Sequence, residues 1–162
     1  MMGKTMEFLG KNKGIAADGS AGAPLYRALA LGDLPAAWLL ARPAIERAKT
    51  EKLPCVTAFN CGLCLYRLGE YEKALAELKQ AEQSLGNPPD FDIGEKKLLL
   101  QAIAEAGGAA ALLPLDPDSQ PVLERYLLIR VRWLIALSLT ALGRQQEAAP
   151  VNRFLSQYRI KV

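Results

Sequence analysis

Across residues 23–160 apolar side chains recur at steps of three and four, the spacing that gathers them on one side of an α-helix. The clearest stretch is residues 55–88, CVTAFNCGLCLYRLGEYEKALAELKQAEQSLGNP. Ala58, Cys61, Leu65 and Leu68 form one stripe, and Tyr71, Ala74, Leu78, Ala81 and Leu85 form a second. Leu68-Gly69-Glu70-Tyr71 divides them, so the pattern predicts a helix over 54–68, a turn, and a helix over 71–85. Gly62, Ala74 and Ala81 are small enough to let the two backbones approach closely. Phe59, Leu63 and Tyr66 add another apolar stripe to the first helix alone, and that stripe must meet a neighbouring hairpin or a ligand.

The same punctuation divides the rest of the chain. Residues 1–22 are Gly- and Lys-rich without periodicity and are expected to form a flexible lead to a single domain over 23–160. Gly32-Asp33 separates helical runs over 23–31 and 34–49. Gly86-Asn87-Pro88-Pro89 is a stop before a helix over 91–106, with Asp90 and Asp92 as helix-start charges. Gly107-Gly108 leads to a short apolar piece over 109–113, and Pro114 and Pro117 stop it. Asp118 or Ser119 can cap a helix with Pro121 in its first turn, running to Leu142. Gly143-Arg144 then turns the chain into a last helix, to about Tyr158. Gly32 and Gly69 lie 37 positions apart, while Gly69 and Gly143 lie 74 apart, twice that period. The intermediate term falls next to Gly107-Gly108. A period in the thirties marks a helical solenoid. Four stacked antiparallel hairpins are expected, about seven or eight helices, with the third shortened in its second helix.

At residues 55–88 the chain resembles a tetratricopeptide repeat. Phe59, Asn60, Gly62, Tyr66, Gly69, Glu70, Tyr71, Ala74 and Ala81 stand at the family's spacing, and the usual final proline is displaced to Pro88. The outer hairpins keep part of the pattern, in Gly32, Asp33, Leu34 and Ala37 and in Trp133, Ala136, Leu142, Gly143 and Ala148. Pro43 and Pro150 fall inside second helices, where a proline removes a backbone hydrogen bond at roughly 3 kcal/mol unless the helix kinks or starts late. The resemblance implies a right-handed superhelix whose first helices line a concave groove that receives a peptide or a helix of another protein. By matching position, that groove would be lined by Tyr26, Phe59, Asn60, Leu63, Tyr66, Arg67, Lys96, Lys97, Leu100, Arg130 and Trp133. Some family members grip a C-terminal carboxylate with paired Lys, Asn and Arg. Only Asn60 agrees here, with Gly22, Tyr26 and Phe59 where the polar grips would stand, so that mode is rejected.

Composition supports the helical reading. Ala and Leu dominate, aromatics make up 7% of the chain, and runs of Val, Ile and Thr are missing, which argues for an all-α fold. A net charge of +3 is too mild to imply nucleic acid as a partner. Residues 51–120 carry six Lys or Arg against eleven Asp or Glu, and residues 121–162 carry seven against two. Such opposed ends suit solvated faces or attraction between copies. The most apolar stretch, 126–142, contains Arg130 and Arg132, so no membrane span is expected. No secretory signal is evident, and the clustered thiols Cys55, Cys61 and Cys64 suit a reducing compartment, so a cytoplasmic protein is expected.

The chemistry-bearing residues give little. The chain has no histidine. Cys61-Gly-Leu-Cys64 with Cys55 falls short of four zinc ligands and lies within a helix, where thiols pack as apolar groups. Gly107-Gly108 lacks a phosphate-loop lysine. Neither an enzyme, a cofactor nor a bound metal is expected. Phe59, Tyr66 and Trp133 serve either a ligand or the packing between hairpins. If Arg67, Lys96, Lys97 and Arg130 share the groove with them, the ligand is an acidic, amphipathic segment. The expected function is a non-catalytic adaptor holding a protein or peptide. The alternative is a structural module that assembles with copies of itself.

Overall fold

The chain's structure is a computed structural model that describes residues 14–118 and 123–162. The fold is all-α. Its helices are α1 (Gly14–Ala30), α2 (Leu34–Arg47), α3 (Cys55–Arg67), α4 (Tyr71–Leu85), α5 (Ile93–Ala106), α6 (Glu124–Ala141) and α7 (Gln145–Ser156), with a 3₁₀ segment, Gly107–Leu112, after α5. Among the described residues there is no strand.

Three turns repeat one geometry. Gly32, Gly69 and Gly143 have φ of 74°, 81° and 73°, the left-handed region that a side chain disfavours. Each glycine N–H donates to the carbonyl three residues back, and the next residue's N–H donates five back: Gly32 to Leu29 and Asp33 to Ala28, Gly69 to Tyr66 and Glu70 to Leu65, Gly143 to Thr140 and Arg144 to Leu139. This double bond pattern ends one helix and aims the next back along it. Four residues after Asp33, Glu70 and Arg144 come Ala37, Ala74 and Ala148, each fully buried. The hairpins α1/α2, α3/α4 and α6/α7 therefore share a turn and a fully buried alanine four residues after it.

Two differences from the sequence pattern matter. α4 packs directly on α6, and Arg132 Nε to Glu82 (2.9 Å) and Arg144 Nη1 to Glu72 (2.7 Å) join the same two hairpins. The stack contains three hairpins, then, and the expected third one is an insertion. The reason is its second member: six residues of 3₁₀ helix, stopped by Pro114, cannot bury a stripe against a neighbour. α5 accordingly has no buried residue, although Asp92 and Glu95 cap its start reciprocally. Secondly, α1 begins at Gly14, so the expected lead over 1–22 is corrected for 14–22, which continues the helix N-terminally despite its glycines, while residues 1–13 lie outside the described residues. α6 starts at Glu124 after Leu123, not after Asp118. Ser119 and Pro121 lie outside the described residues.

α2 and α7 run through Pro43 and Pro150. Both prolines are exposed, so the carbonyl each leaves unbonded is on the solvent side, where water satisfies it. The α3/α4 contact is tighter. A Cβ on Gly62 would lie 2.8 Å from both Cγ and Cδ2 of Leu78, itself fully buried. Gly62→Ala is expected to lower stability by about 1–3 kcal/mol through overpacking, despite alanine's better helix propensity, as measured by urea unfolding.

Candidate functional site

The first helices of the three hairpins, α1, α3 and α6, share a face, and the chain's own residues 107–118 lie on it. The contacts run in order. Arg67, the last residue of α3, donates through Nη1 to Leu29 O of α1 (2.9 Å) and through Nη2 to Leu112 O (2.6 Å). Arg130 of α6 donates through Nη2 to Leu113 O and through Nη1 to the Tyr126 hydroxyl (3.3 Å). In mid-α3, Asn60 Nδ2 donates to Leu115 O (2.8 Å), and Leu115 N–H donates to Asn60 Oδ1 (2.9 Å). Near the start of α3, a Cβ on Gly22 would come within 3.2 Å of Thr57 Oγ1 and 3.6 Å of Pro117 Cγ.

Residues 112–117 thus cross the face antiparallel to α3, as a strap. The lengths agree: ten helical residues from Thr57 to Arg67 rise about 15 Å, and five extended steps from 112 to 117 span about 17 Å. Leu115 is 7% exposed and joins the main core, whereas Leu113 is 55% exposed. Asn60 explains the grip. It is fully buried between Phe59 and Cys61, and a buried amide must find partners for both of its polar ends.

Electrostatics on this face are lopsided. Arg130 is 3% exposed, with its guanidinium over the rings of Phe59 (5.3 Å) and Tyr126 (6.0 Å), and its Nε has no hydrogen-bond partner among the described residues. Neither Arg67 nor Arg130 pairs with a carboxylate among those residues. Among the described residues, Arg67 is held by two carbonyls, and Arg130 by a carbonyl, the Tyr126 hydroxyl and two aromatic faces.

The residues predicted to line the groove separate into three groups. Asn60, Arg67 and Arg130 hold the strap, Phe59 and Leu63 share the main core with its Leu115, and Tyr26 of α1 is half-buried. Tyr66 instead meets Tyr71 edge-on, ring centroids 5.1 Å apart. Trp133, 4% exposed, sits in a second core with Ile129, Leu155 and Tyr158, to which Ala110, Ala111 and Leu100 add. Lys96, Lys97 and Leu100 line a separate cleft of about 540 Å³ with Ile93, Gln101, Ala104 and Arg159. The expected hollow side is therefore corrected: its aromatic floor of Phe59 and Trp133 is covered by the insertion. Leaving that apolar area wet would forfeit about 25 cal/mol per Å². Sequence reasoning missed Leu112, Leu115 and Pro117. Their signal was a proline-punctuated segment with no helix to join.

Cys61 and Cys64 pack in the main core as free thiols. Burial, then the Glu77 carboxylate, pushes Cys61 up to about 12, and burial pushes Cys64 up to about 11. Burial raises the Cys55 thiol too, so access separates the three: Cys55, only half-buried, is expected to react with a disulfide reagent before Cys61 and Cys64, as counted by mass spectrometry. Among the described residues no group of three or more His, Cys, Asp or Glu is placed to hold a metal, and no helix is long and apolar enough to cross a membrane. No protein-family model, curated protein or solved structure matches the chain.

Proposed function

We propose that this chain is a non-catalytic, tetratricopeptide-like adaptor that holds an extended segment of another protein on the α1, α3 and α6 face. One observation carries the reading: Asn60, Arg67 and Arg130 bond main-chain groups of an extended segment, and their amide and guanidinium groups are suited to do so for many sequences. Main-chain bonds supply affinity in this mode, and the socket taken by Leu115 supplies selectivity. Nothing in the reading calls for a cofactor, a nucleic acid or a lipid.

The test is selection of peptides from a displayed random library on the full chain, followed by photo-crosslinking of the selected peptides. Crosslinks to α1, α3 or α6 are expected. A selection without binders, or crosslinks confined to α2, α4 and α7, would overturn the proposal.

A second reading, assembly with copies of itself, has its own support. α5 carries Ile93 at 90% and Leu98 at 69% exposure. Light scattering at micromolar concentration discriminates, since that reading expects an oligomer that Ile93→Asp dissociates.

A further inference from the structure

The strap raises a question about occupancy, because it lies where the adaptor reading places a partner. Resting on that reading, we infer that residues 112–117 are a resident mimic of the external ligand, which is an extended acidic segment with a leucine at the Leu115 position. The strap must leave the face before such a segment enters.

The strap itself displays the chemistry. Residues 107–118 contain Asp116 and Asp118 and no Lys or Arg. Leu115 enters the core, and its N–H and carbonyl are both taken by Asn60. The carbonyls of Leu112 and Leu113 are taken by Arg67 and Arg130. These bonds read the strap's backbone, so any chain of the same direction and extension can replace them.

The face also keeps something the strap does not use. Two guanidiniums lack a carboxylate among the described residues, and Arg130 Nε is buried without a hydrogen-bond partner there. A buried charge held only by dipoles gains from an opposite charge, and arginine gains most when its fork is fully used. A segment with a carboxylate beside the Leu112 or Leu113 position supplies what the strap, whose two aspartates follow Leu115, does not place there. The strap, being tethered, competes at high effective concentration, so it lowers the apparent affinity of any incoming chain by the fraction of time it is seated.

The experiment uses a fluorescein-labelled peptide of residues 110–118, AALLPLDPD, and a scrambled peptide of the same composition. Fluorescence anisotropy is read on the unaltered full chain, on Leu115→Asp, and on Leu115→Asp combined with Asn60→Ala. Leu115→Asp unseats the strap and is expected to bind the peptide about tenfold or more tighter than the unaltered chain. Adding Asn60→Ala should remove that gain, and the scrambled peptide should not bind. Equal binding to the unaltered chain and to Leu115→Asp would overturn the inference, as would equal binding of the scrambled peptide. So would no binding to a folded Leu115→Asp chain. Should circular dichroism show Leu115→Asp to be unfolded, Leu115→Ala replaces it, with a gain of about threefold expected and no gain overturning the inference. If library peptides crosslink to α1, α3 or α6 while the strap peptide ignores both variants, the adaptor reading stands and the mimic falls. A failed library selection removes the adaptor reading itself.

Discussion

Phe59→Ala is expected to destabilise the protein by about 3–5 kcal/mol, the usual loss for emptying a fully buried phenylalanine site. For a chain of this size that lowers the melting temperature by about 6–20 °C. Phe59 is fully buried in the main core, and the Arg130 guanidinium lies 5.3 Å from its ring centroid. Truncation opens a cavity between α3 and α6 and removes the aromatic face beneath a buried charge. Phe59→Leu separates these effects. It refills most of the volume but restores no π-face, so thermal unfolding should show a smaller loss, with a remainder of about 0.5–2 kcal/mol from the lost cation–π contact.

Asn60→Ala is the second large effect, at about 2–4 kcal/mol. It removes two buried hydrogen bonds at once and leaves the N–H and carbonyl of Leu115 without partners. The loss cannot exceed the free energy of letting the strap go, because a detached strap regains water as its partner. Asn60→Asp refines the test. A protonated carboxyl can accept from Leu115 N–H and donate to Leu115 O, as the amide does, but a carboxylate cannot donate. Burial raises the pKa of such a carboxyl, so the grip is present below the unfolded pKa and lost as pH rises through the folded one. The deficit of Asn60→Asp relative to the unaltered chain should therefore shrink toward about pH 4 and be fullest above about pH 6.

The hairpins were legible because their signals are local. Gly69 marks a left-handed turn, the steps of three and four on either side mark the buried stripes, and Gly62 marks the close approach to α4. The same chemistry around Gly32 and Gly143 placed α1/α2 and α6/α7. The insertion was misread for a periodic reason: a gap of twice the repeat length looks like a missing repeat. Only the packing of α4 on α6 shows that residues 86–118 stand outside the stack of hairpins. The strap was harder still. Asn60 and Leu115 are 55 residues apart, and nothing local to a leucine between Pro114 and Asp116 announces a helix amide as its partner. One local clue existed. An asparagine within an apolar helical stripe must satisfy both ends of its amide, and no neighbour on α3 offers a free N–H and carbonyl together. The hollow groove expected by resemblance came from repeats without an insertion, and here the chain supplies its own cover.

Native-state hydrogen exchange at the Leu115 amide tests the central claim most directly. With the strap seated on Asn60, that amide should exchange at least about a hundredfold more slowly than in the free peptide of residues 110–118. In Asn60→Ala it should approach the free rate, while the Ala74 and Leu78 amides of α4 stay slow. A Leu115 amide that exchanges at the free-peptide rate in the unaltered protein would contradict the account.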